Sequence, residues 1–362
     1  MTDIYIIRHG EAEGNVYRRS QGQYDTLLTP NGQKQAEILA SRFADVQIDA
    51  IYASDLTRAW QTAAPLAAQK GLVVTRDEAL RELAMGHWED LPWGVLPDLY
   101  PKEYDAWVNA PHACVLPSGE SMAELQERIT TAILRIAAAH GGETIAIFTH
   151  GAAIRTFLCR AEGRPLCELS QIHWGENTCV ARCSIEGEAI SLQFSNDASH
   201  LPKSISTLAR QRWWRSEKET DYNLSFLPGS TDENYILTTL AAQLQDDTAG
   251  KTVEQLSALI SQTDNAFLAV LGNETAGFVL LEDGGRLAYI YLEPRYQRIN
   301  MGAQLLGQAI SVLRKKGCKT LSFTAPEGNA PIVKFAQNMG FLSEDKTLYT
   351  LNIDVRSADM TL

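Results

Sequence analysis

Ile4-Tyr5-Ile6-Ile7-Arg8-His9-Gly10 opens the chain with an unbroken apolar run that stops at an arginine, a histidine and a glycine. A short run without polar alternation is expected of a central strand in a parallel sheet, where both faces are covered. The residues that follow extend the pattern. Thr29-Pro30 starts a helix, with Thr29 as cap and Pro30 at the first helical position. Ala36, Leu39, Ala40 and Phe43 then recur at helical spacing and give one buried face. Ala50-Ile51-Tyr52-Ala53 reads as a second strand, with Ser54 capping the helix after it. Thr144–Thr149 reads as another strand, with helical pattern from Ala152. Such alternation implies an α/β architecture, a mostly parallel sheet flanked by helices. Residues 180–192 alternate around Glu186-Gly187-Glu188 and read as a closing hairpin.

Between 203 and 220 the character changes. Arg210, Arg212, Trp213, Trp214 and Arg215 crowd together, and charge follows. A domain boundary belongs here, with the paired tryptophans expected at an interdomain contact. Helical stretches at 231–245 and 252–262 precede strands at 266–271 and 276–281. Gly284-Gly285 turns the chain into a strand at 287–292; a helix (302–316), a strand (320–324) and a helix (330–339) follow. This is an α+β pattern, a meander and then a β-α-β unit. The expected domains are 1–202 and 222–355, joined by a linker at 203–221.

Composition bounds the function. The 362 residues suit roughly two domains of about 150 residues. Lys and Arg total 32 against 44 Asp and Glu, a net charge of −12. That balance repels phosphodiester backbones, so no nucleic-acid partner is expected, while a local basic pocket for a small phosphate is compatible with it. The 6 cysteines form no Cys-x-x-Cys pair and read as reduced, mostly buried thiols. No apolar run approaches the ~18 residues of a membrane span. Asp3 and Arg8 around a short apolar run argue against a signal peptide. The expectation is a cytoplasmic protein without a membrane partner.

Three strands of the first half end in polar residues that can meet: Arg8-His9-Gly10, Ser54-Asp55 leading to Arg58, and His150-Gly151. Ligands of open parallel sheets bind beyond the carboxyl ends of the strands. Two guanidiniums match phosphate oxygens bidentately, and a neutral imidazole is a competent nucleophile toward phosphorus. The glycine after each histidine, Gly151 included, lets backbone approach the bound group. A single strand-end histidine is usually structural, but three strand ends supplying these residues together are hard to ascribe to chance. A zinc site is a weaker rival, because His9 and His150 lack a third ligand at suitable spacing.

These residues resemble the histidine phosphatase (phosphoglycerate-mutase-like) superfamily. The resemblance is carried by Arg8-His9-Gly10-Glu11 with Asn15, Arg19-Ser20-Gln21-Gly22, Leu28-Thr29-Pro30-Asn31-Gly32, and Ser54-Asp55-Leu56-Thr57-Arg58-Ala59. Arg81-Glu82-Leu83, Gly86-His87-Trp88-Glu89, Ser118-Gly119-Glu120-Ser121, Thr149-His150-Gly151, Asn177-Thr178 and Ser199-His200-Leu201 continue it across about 1–202. It implies that His9 is the nucleophile that becomes a phosphohistidine, that Arg8, Arg58 and His150 stabilise the transferring group, and that Glu82 is the proton donor. Asn15, Gln21, Gly22 and Gly151 are the expected substrate contacts, and no metal is required. Trp88, Trp93 and Trp107 are expected to pack a helical cap at about 91–122. That stretch is compact and lacks a dense basic cluster, which resembles the family's phosphatase branch more than its mutase branch.

In the second half, the strand 287–292 ends at Glu293-Pro294 and leads through Arg295-Tyr296-Gln297-Arg298-Ile299-Asn300-Met301-Gly302-Ala303 into a helix. A loop entering a helix N-terminus offers free N–H groups and the positive dipole end, which suits a pyrophosphate; Gln297 and Arg298 can add side-chain contacts. Taken alone, such a loop is more often a plain connection. The wider order over about 222–352 resembles the GNAT N-acetyltransferase superfamily, with Asn300 where the first loop glycine usually stands. Asn329 before a helix and Gly340-Phe341 after it match as well. The resemblance implies acetyl-coenzyme A beside Tyr291 and Leu292, held by Gln297, Arg298, Asn300, Gly302, Ala303 and Asn329. At the family's usual tyrosine acid stands Ala336, next to Phe335; neither can protonate a thiolate, and Tyr291 or Tyr296 is a substitute. Glu293 reads either as a base acting through water or as a surface carboxylate.

The expected whole is a metal-independent phosphomonoesterase for a small phosphorylated metabolite, fused to an acetyl-coenzyme A-dependent transferase for a small amine or peptide amine. The alternatives are phosphoglycerate-mutase-type transfer in the first half and a coenzyme A-binding or structural module in the second. The oligomeric state, a homo-oligomer included, is open.

Overall fold

The structure is a computed structural model and describes residues 1–211, 222–244, 252–261, 264–325, 328–343 and 345–360. Arg212, Trp213, Trp214 and Arg215 lie outside the described residues, and so does the interdomain contact expected of the tryptophans. Among the described residues there are two six-stranded sheets. The chain divides into two compact units: Met1–Glu13, Ser20–Asp90 and Leu96–Arg212 form the first, and Gly14–Arg19, Leu91–Val95 and Trp213–Leu362 the second.

The first sheet contains β1 (Thr2–Arg8), β2 (Ala50–Ala53), β3 (Val74–Arg76), β4 (Thr144–Thr149), β5 (Val180–Glu186) and β6 (Ala189–Asp197) in the order β3-β2-β4-β1-β5-β6. β1, β2, β3 and β4 run parallel, and the β5–β6 hairpin joins β1 antiparallel. Its helices are α1 (Glu13–Tyr17, most of which belongs to the second unit), α2 (Pro30–Arg42), α3 (Thr57–Lys70), α4 (Leu96–Leu99), α5 (Pro101–Asn109), α6 (Met122–Ala139), α7 (Gly151–Ala161) and α8 (Thr207–Arg210). The core gathers Ile4, Ile6, Ile7, Leu39, Ile51, Leu66, Ile145, Ile147 and Phe148, each at most 1% exposed. α2 starts as expected, with Thr29 Oγ1 accepting from Gly32 N at 3.0 Å.

Three features differ from the sequence reading. Ser54 does not cap α3; it accepts from Leu56 N, and α3 starts at Thr57. The Asp25 carboxylate fills the capping role from another loop, accepting from Thr57 N at 2.8 Å and Thr57 Oγ1 at 2.7 Å. β3 escaped notice because it is three residues long and carries Thr75 and Arg76 at the sheet edge. The linker expected at 203–221 is in part structured. Thr207 is buried and donates to Glu11 Oε2 at 3.0 Å, and Gln35 Nε2 donates to Ile205 O at 2.8 Å. Buried polar side chains at Glu11 and Gln35 recruit this segment as partners.

The second sheet orders β7 (Ser225–Pro228), β8 (Ala266–Leu271), β9 (Glu274–Glu282), β10 (Arg286–Leu292), β11 (Thr320–Thr324) and β12 (Leu348–Asn352) as β12-β11-β10-β9-β8-β7. Its helices are α9 (Glu233–Gln243), α10 (Val253–Ile260), α11 (Met301–Lys315) and α12 (Ala330–Asn338). β8, β9 and β10 form the expected meander, and β10-α11-β11 is the parallel unit. The edge strands β7 and β12 went unread; both are short, and Pro228 in β7 is tolerated because an edge strand has one unpaired side. Leu305, Leu306, Ala309 and Ile310 of α11 pack with Leu281, Leu321 and Ala336 in one core cluster.

Candidate active site

β1 and β4 deliver their last residues side by side. His9 N donates to Thr149 O at 2.9 Å, and Asn177 Nδ2 donates to His9 O at 2.9 Å, so the backbone at His9 is pinned on two sides. The His9 and His150 rings lie 5.2 Å apart, centroid to centroid, and both residues are buried. His9 Nδ1 is 2.7 Å from Gly10 O. A carbonyl only accepts, so Nδ1 carries the proton and Nε2 keeps its lone pair. Burial, followed by the charges of Arg58 and Arg8, holds the His9 pKa well below the ordinary histidine value. Burial and Arg58 do the same for His150. Both rings are therefore neutral near pH 7.

Arg58, in the first turn of α3, is fully buried. Its Nη1 donates to Tyr24 O at 3.0 Å and its Nη2 to Gly22 O at 2.7 Å. Arg8 Nη1 donates to Gly175 O at 2.5 Å. The Nε atoms of Arg8 and Arg58 and both ring nitrogens of His150 are buried without a hydrogen-bond partner. Such groups are costly unless something else bonds to them. Glu82 stands at the start of α7, accepting from Ala152 N at 3.0 Å, Ala153 N at 3.1 Å and Leu83 N at 2.9 Å. Two guanidiniums, a deprotonated imidazole nitrogen and a carboxylate thus converge on three strand ends, a set suited to moving a phosphoryl group.

In the second unit, β10 pairs with β9 through Leu292, yet with β11 only at Arg286↔Ser322 among the described residues. Arg298 and Asn300 both have left-handed φ, 62° and 68°, and α11 begins at Met301 without a side-chain cap. At the end of β10, Tyr235 Oη donates to Glu293 Oε1 at 2.7 Å.

A model of the histidine phosphatase superfamily (branch 1) matches residues 4–198, more than half of the chain. The chain belongs to the histidine phosphatase superfamily. A model of the acetyltransferase (GNAT) family matches residues 232–341. Phosphoglycerate mutase-like protein 4 of Arabidopsis thaliana is 35% identical over 205 residues, 56% of this chain and 88% of that protein. Putative phosphoserine phosphatase 2 of Hydrogenobacter thermophilus is 30% identical over 200 residues, 55% of this chain and 98% of that protein. Among solved structures, YhfR of Bacillus stearothermophilus is similar with a TM-score of 0.54 and 32% identity, covering 55% of this chain and 99% of that one.

Within the histidine phosphatase unit the structure brings Arg8, His9, Arg58, His150 and Glu82 to one end of the sheet. The Gly22 carbonyl anchors Arg58, with Gly22 at φ 51°. Gln21 Oε1 accepts from Thr26 Oγ1 at 2.7 Å, which aligns its amide. Gly151 opens α7. Asn15 lies in Gly14–Arg19, a segment of the second unit, and Trp93 lies in Leu91–Val95, another segment of that unit. Trp88 is buried against Tyr100, Tyr104 and Trp107, as a cap requires.

In the GNAT unit the side chains of three residues expected at the cofactor have partners within the protein. Gln297 Nε2 donates to Leu292 O at 2.8 Å, fastening the loop to the strand. Asn329 Oδ1 caps α12 by accepting from Ile332 N at 3.2 Å. Tyr291 is half-buried against Phe278, with a phenol pushed up by burial and by Glu293. Arg298 and Asn300 are exposed, Gly302 is half-buried and Ala303 is buried. Tyr296 donates to Glu274 at 2.7 Å and Ala336 is fully buried in the core. Sequence reasoning missed Tyr235, whose link to Glu293 spans 58 positions, and Asp25 as the cap of the helix that carries Arg58. It also passed over Trp174, although Trp174-Gly175-Glu176 leads into the Asn177-Thr178 motif.

Proposed function

We propose that the first unit is a metal-independent phosphomonoesterase for a small phosphorylated metabolite, working through a phosphohistidine on His9. The observation that carries the reading is the His9 tautomer: Nδ1–H is spent on Gly10 O, so the lone pair of Nε2 is available inside a pocket with unsatisfied cationic donors. Nε2 attacks phosphorus and the P–O bond to the leaving group breaks. The electrons of that bond go to the leaving oxygen, which takes a proton from Glu82. Arg8, Arg58 and His150 bond the equatorial oxygens. Water, losing its proton to Glu82, then cleaves the P–N bond and yields inorganic phosphate. The relatives bear both mutase and phosphatase names; the compact cap favours release of phosphate over its return to a product.

The second unit we read as an acetyl-coenzyme A-dependent N-acetyltransferase for a small amine or peptide amine. The fit is supported by the start of α11, which has no side-chain cap and follows the left-handed residues Arg298 and Asn300, so that main-chain N–H groups of 300–303 would hold the pyrophosphate. Bound acetyl-coenzyme A supplies an acetyl group activated as a thioester. Glu293, whose carboxylate accepts from Tyr235, would hold the proton of an acceptor amine.

The test is a base-quenched reaction with labelled phosphomonoester. Wild type should retain an acid-labile phosphohistidine, and folded His9→Ala should lose turnover by about a thousandfold or more. A chelator should leave the rate unchanged. Substantial turnover by folded His9→Ala overturns the covalent reading, and an isomerised phosphoester product in place of phosphate favours the mutase.

A further inference from the structure

We propose that Trp174 is the platform for the leaving group, and that this leaving group is an uncharged ring with a flat apolar face. The inference rests on the phosphomonoesterase reading of His9 and specifies its substrate class. Trp174 is 47% exposed, yet its indole is held in place. The Arg155 guanidinium lies 4.2 Å from a ring centroid. Arg155 is buried and fixed in turn, its Nε donating to Ile172 O at 2.8 Å and its Nη2 to Leu169 O at 2.9 Å. A ring fixed before the ligand arrives loses little freedom on binding.

The position of the indole ties it to the reacting group. A Cβ built on Gly151 would stand 2.9 Å from Trp174 Cζ3 and 3.5 Å from Arg8 Nε. The indole edge and the phosphoryl-binding guanidinium therefore meet beside the residue that follows His150. The next residue of the loop, Gly175, accepts from Arg8 Nη1. An alkoxide leaving from a phosphoryl group on Arg8 departs alongside this aromatic surface.

Charge disfavours an anionic leaving group. In residues 91–122 Lys102 is the only lysine or arginine, against Asp98, Glu103, Asp105 and Glu120. Arg81 is paired with Asp55 and Arg128 with Glu120. Apart from Arg8, assigned to the phosphoryl group, and Arg155, already committed to the carbonyls of Ile172 and Leu169, a carboxylate on the leaving group would find no cationic cluster here among the described residues.

The experiment compares benzyl phosphate, which has a ring on an alkoxide leaving group, with glycerol 3-phosphate and O-phosphoserine. Trp174→Ala should lower kcat/KM for benzyl phosphate about tenfold, the size of one ring stack, and for glycerol 3-phosphate less than about twofold. Trp174→Phe should retain most of the activity toward benzyl phosphate. Trp174→Leu, which keeps bulk on Arg155 without the flat face, should behave as the alanine variant does. Inhibition by vanadate should be unchanged in all three. Equal losses on both substrates mean a structural role and overturn the proposal, as does a wild type that prefers O-phosphoserine to benzyl phosphate by about tenfold. If wild type turns over none of these esters and vanadate does not bind, the phosphatase reading has failed and the inference falls with it.

Discussion

At the scale of the residue, His9, His150 and His200 share one trait: burial keeps each of them neutral. His200 Nδ1 accepts from Arg42 at 3.2 Å, so its Nε2–H donates to Thr178 Oγ1 at 3.1 Å, and burial, then Arg42, pushes its pKa down to about 4. In the unfolded chain these histidines titrate near 6.5. Below that value the unfolded state binds protons that the folded state refuses, so stability is full above about pH 6.5 and falls as pH drops toward the folded values. Each histidine contributes up to about 1.4 kcal/mol per pH unit. Urea unfolding at pH 7.5 and 5.5 should show this loss, and His200→Gln should reduce the difference by about one proton's worth. A wild type equally stable at both values would contradict the assignment. The residues proposed to react were legible because Arg8, His9 and Gly10 are adjacent in sequence. Trp174 was not, because the role proposed for it depends on Arg155 and Gly151, which only the fold brings to it.

At the scale of the element, α7 connects catalysis to stability. Its first turn places His150 at the cap position, while Glu82 accepts from Ala152 N and Ala153 N. Glu82→Gln therefore removes the proposed proton donor and also weakens a helix cap. For alkyl phosphates kcat/KM should fall by about a hundredfold or more, and for nitrophenyl phosphate far less, since a good leaving group needs little protonation. Thermal unfolding should report a loss of about 1 kcal/mol. Equal kinetic losses on the two substrates would remove Glu82 from the acid role. Element boundaries were read well where strands are apolar runs, as in Ala50–Ala53, Thr144–Thr149 and Ala266–Leu271. They were missed at the sheet edges, where β3, β7 and β12 bury too little to leave a pattern. In α12 the position of the usual tyrosine acid is closed: Ala336 is fully buried, so Ala336→Tyr should destabilise the fold by about 1–3 kcal/mol rather than restore an acid.

At the scale of the molecule, two families share one chain, and their activities should be separable by mutation. Gly302 sits at the start of α11, where a Cβ would already touch the Phe335 ring at 3.3 Å. Gly302→Glu adds bulk and negative charge at the site read as a pyrophosphate cradle. Calorimetry should show acetyl-coenzyme A affinity reduced at least about tenfold, with phosphatase kcat/KM within about twofold of wild type. If wild type has no affinity for acetyl-coenzyme A, the transferase reading fails and a structural module is left. The two-domain plan was legible from strand and helix periodicity. The division of the chain was less so: Gly14–Arg19 and Leu91–Val95 belong to the second unit although they precede it in sequence by more than a hundred residues.

The buried Nε atoms of Arg8 and Arg58 carry a consequence for the folding equilibrium. The native state keeps two like charges close together, with donors facing no acceptor, and it bears that electrostatic burden in every folded molecule. An oxyanion that enters relieves it and binds the native form alone. Inorganic phosphate, the expected product, should thus act as a thermostabiliser, adding about 2.7 kcal/mol at a hundred times its Kd. A melting temperature indifferent to phosphate in wild type would mean that the cationic pocket does not hold the anion for which it is built.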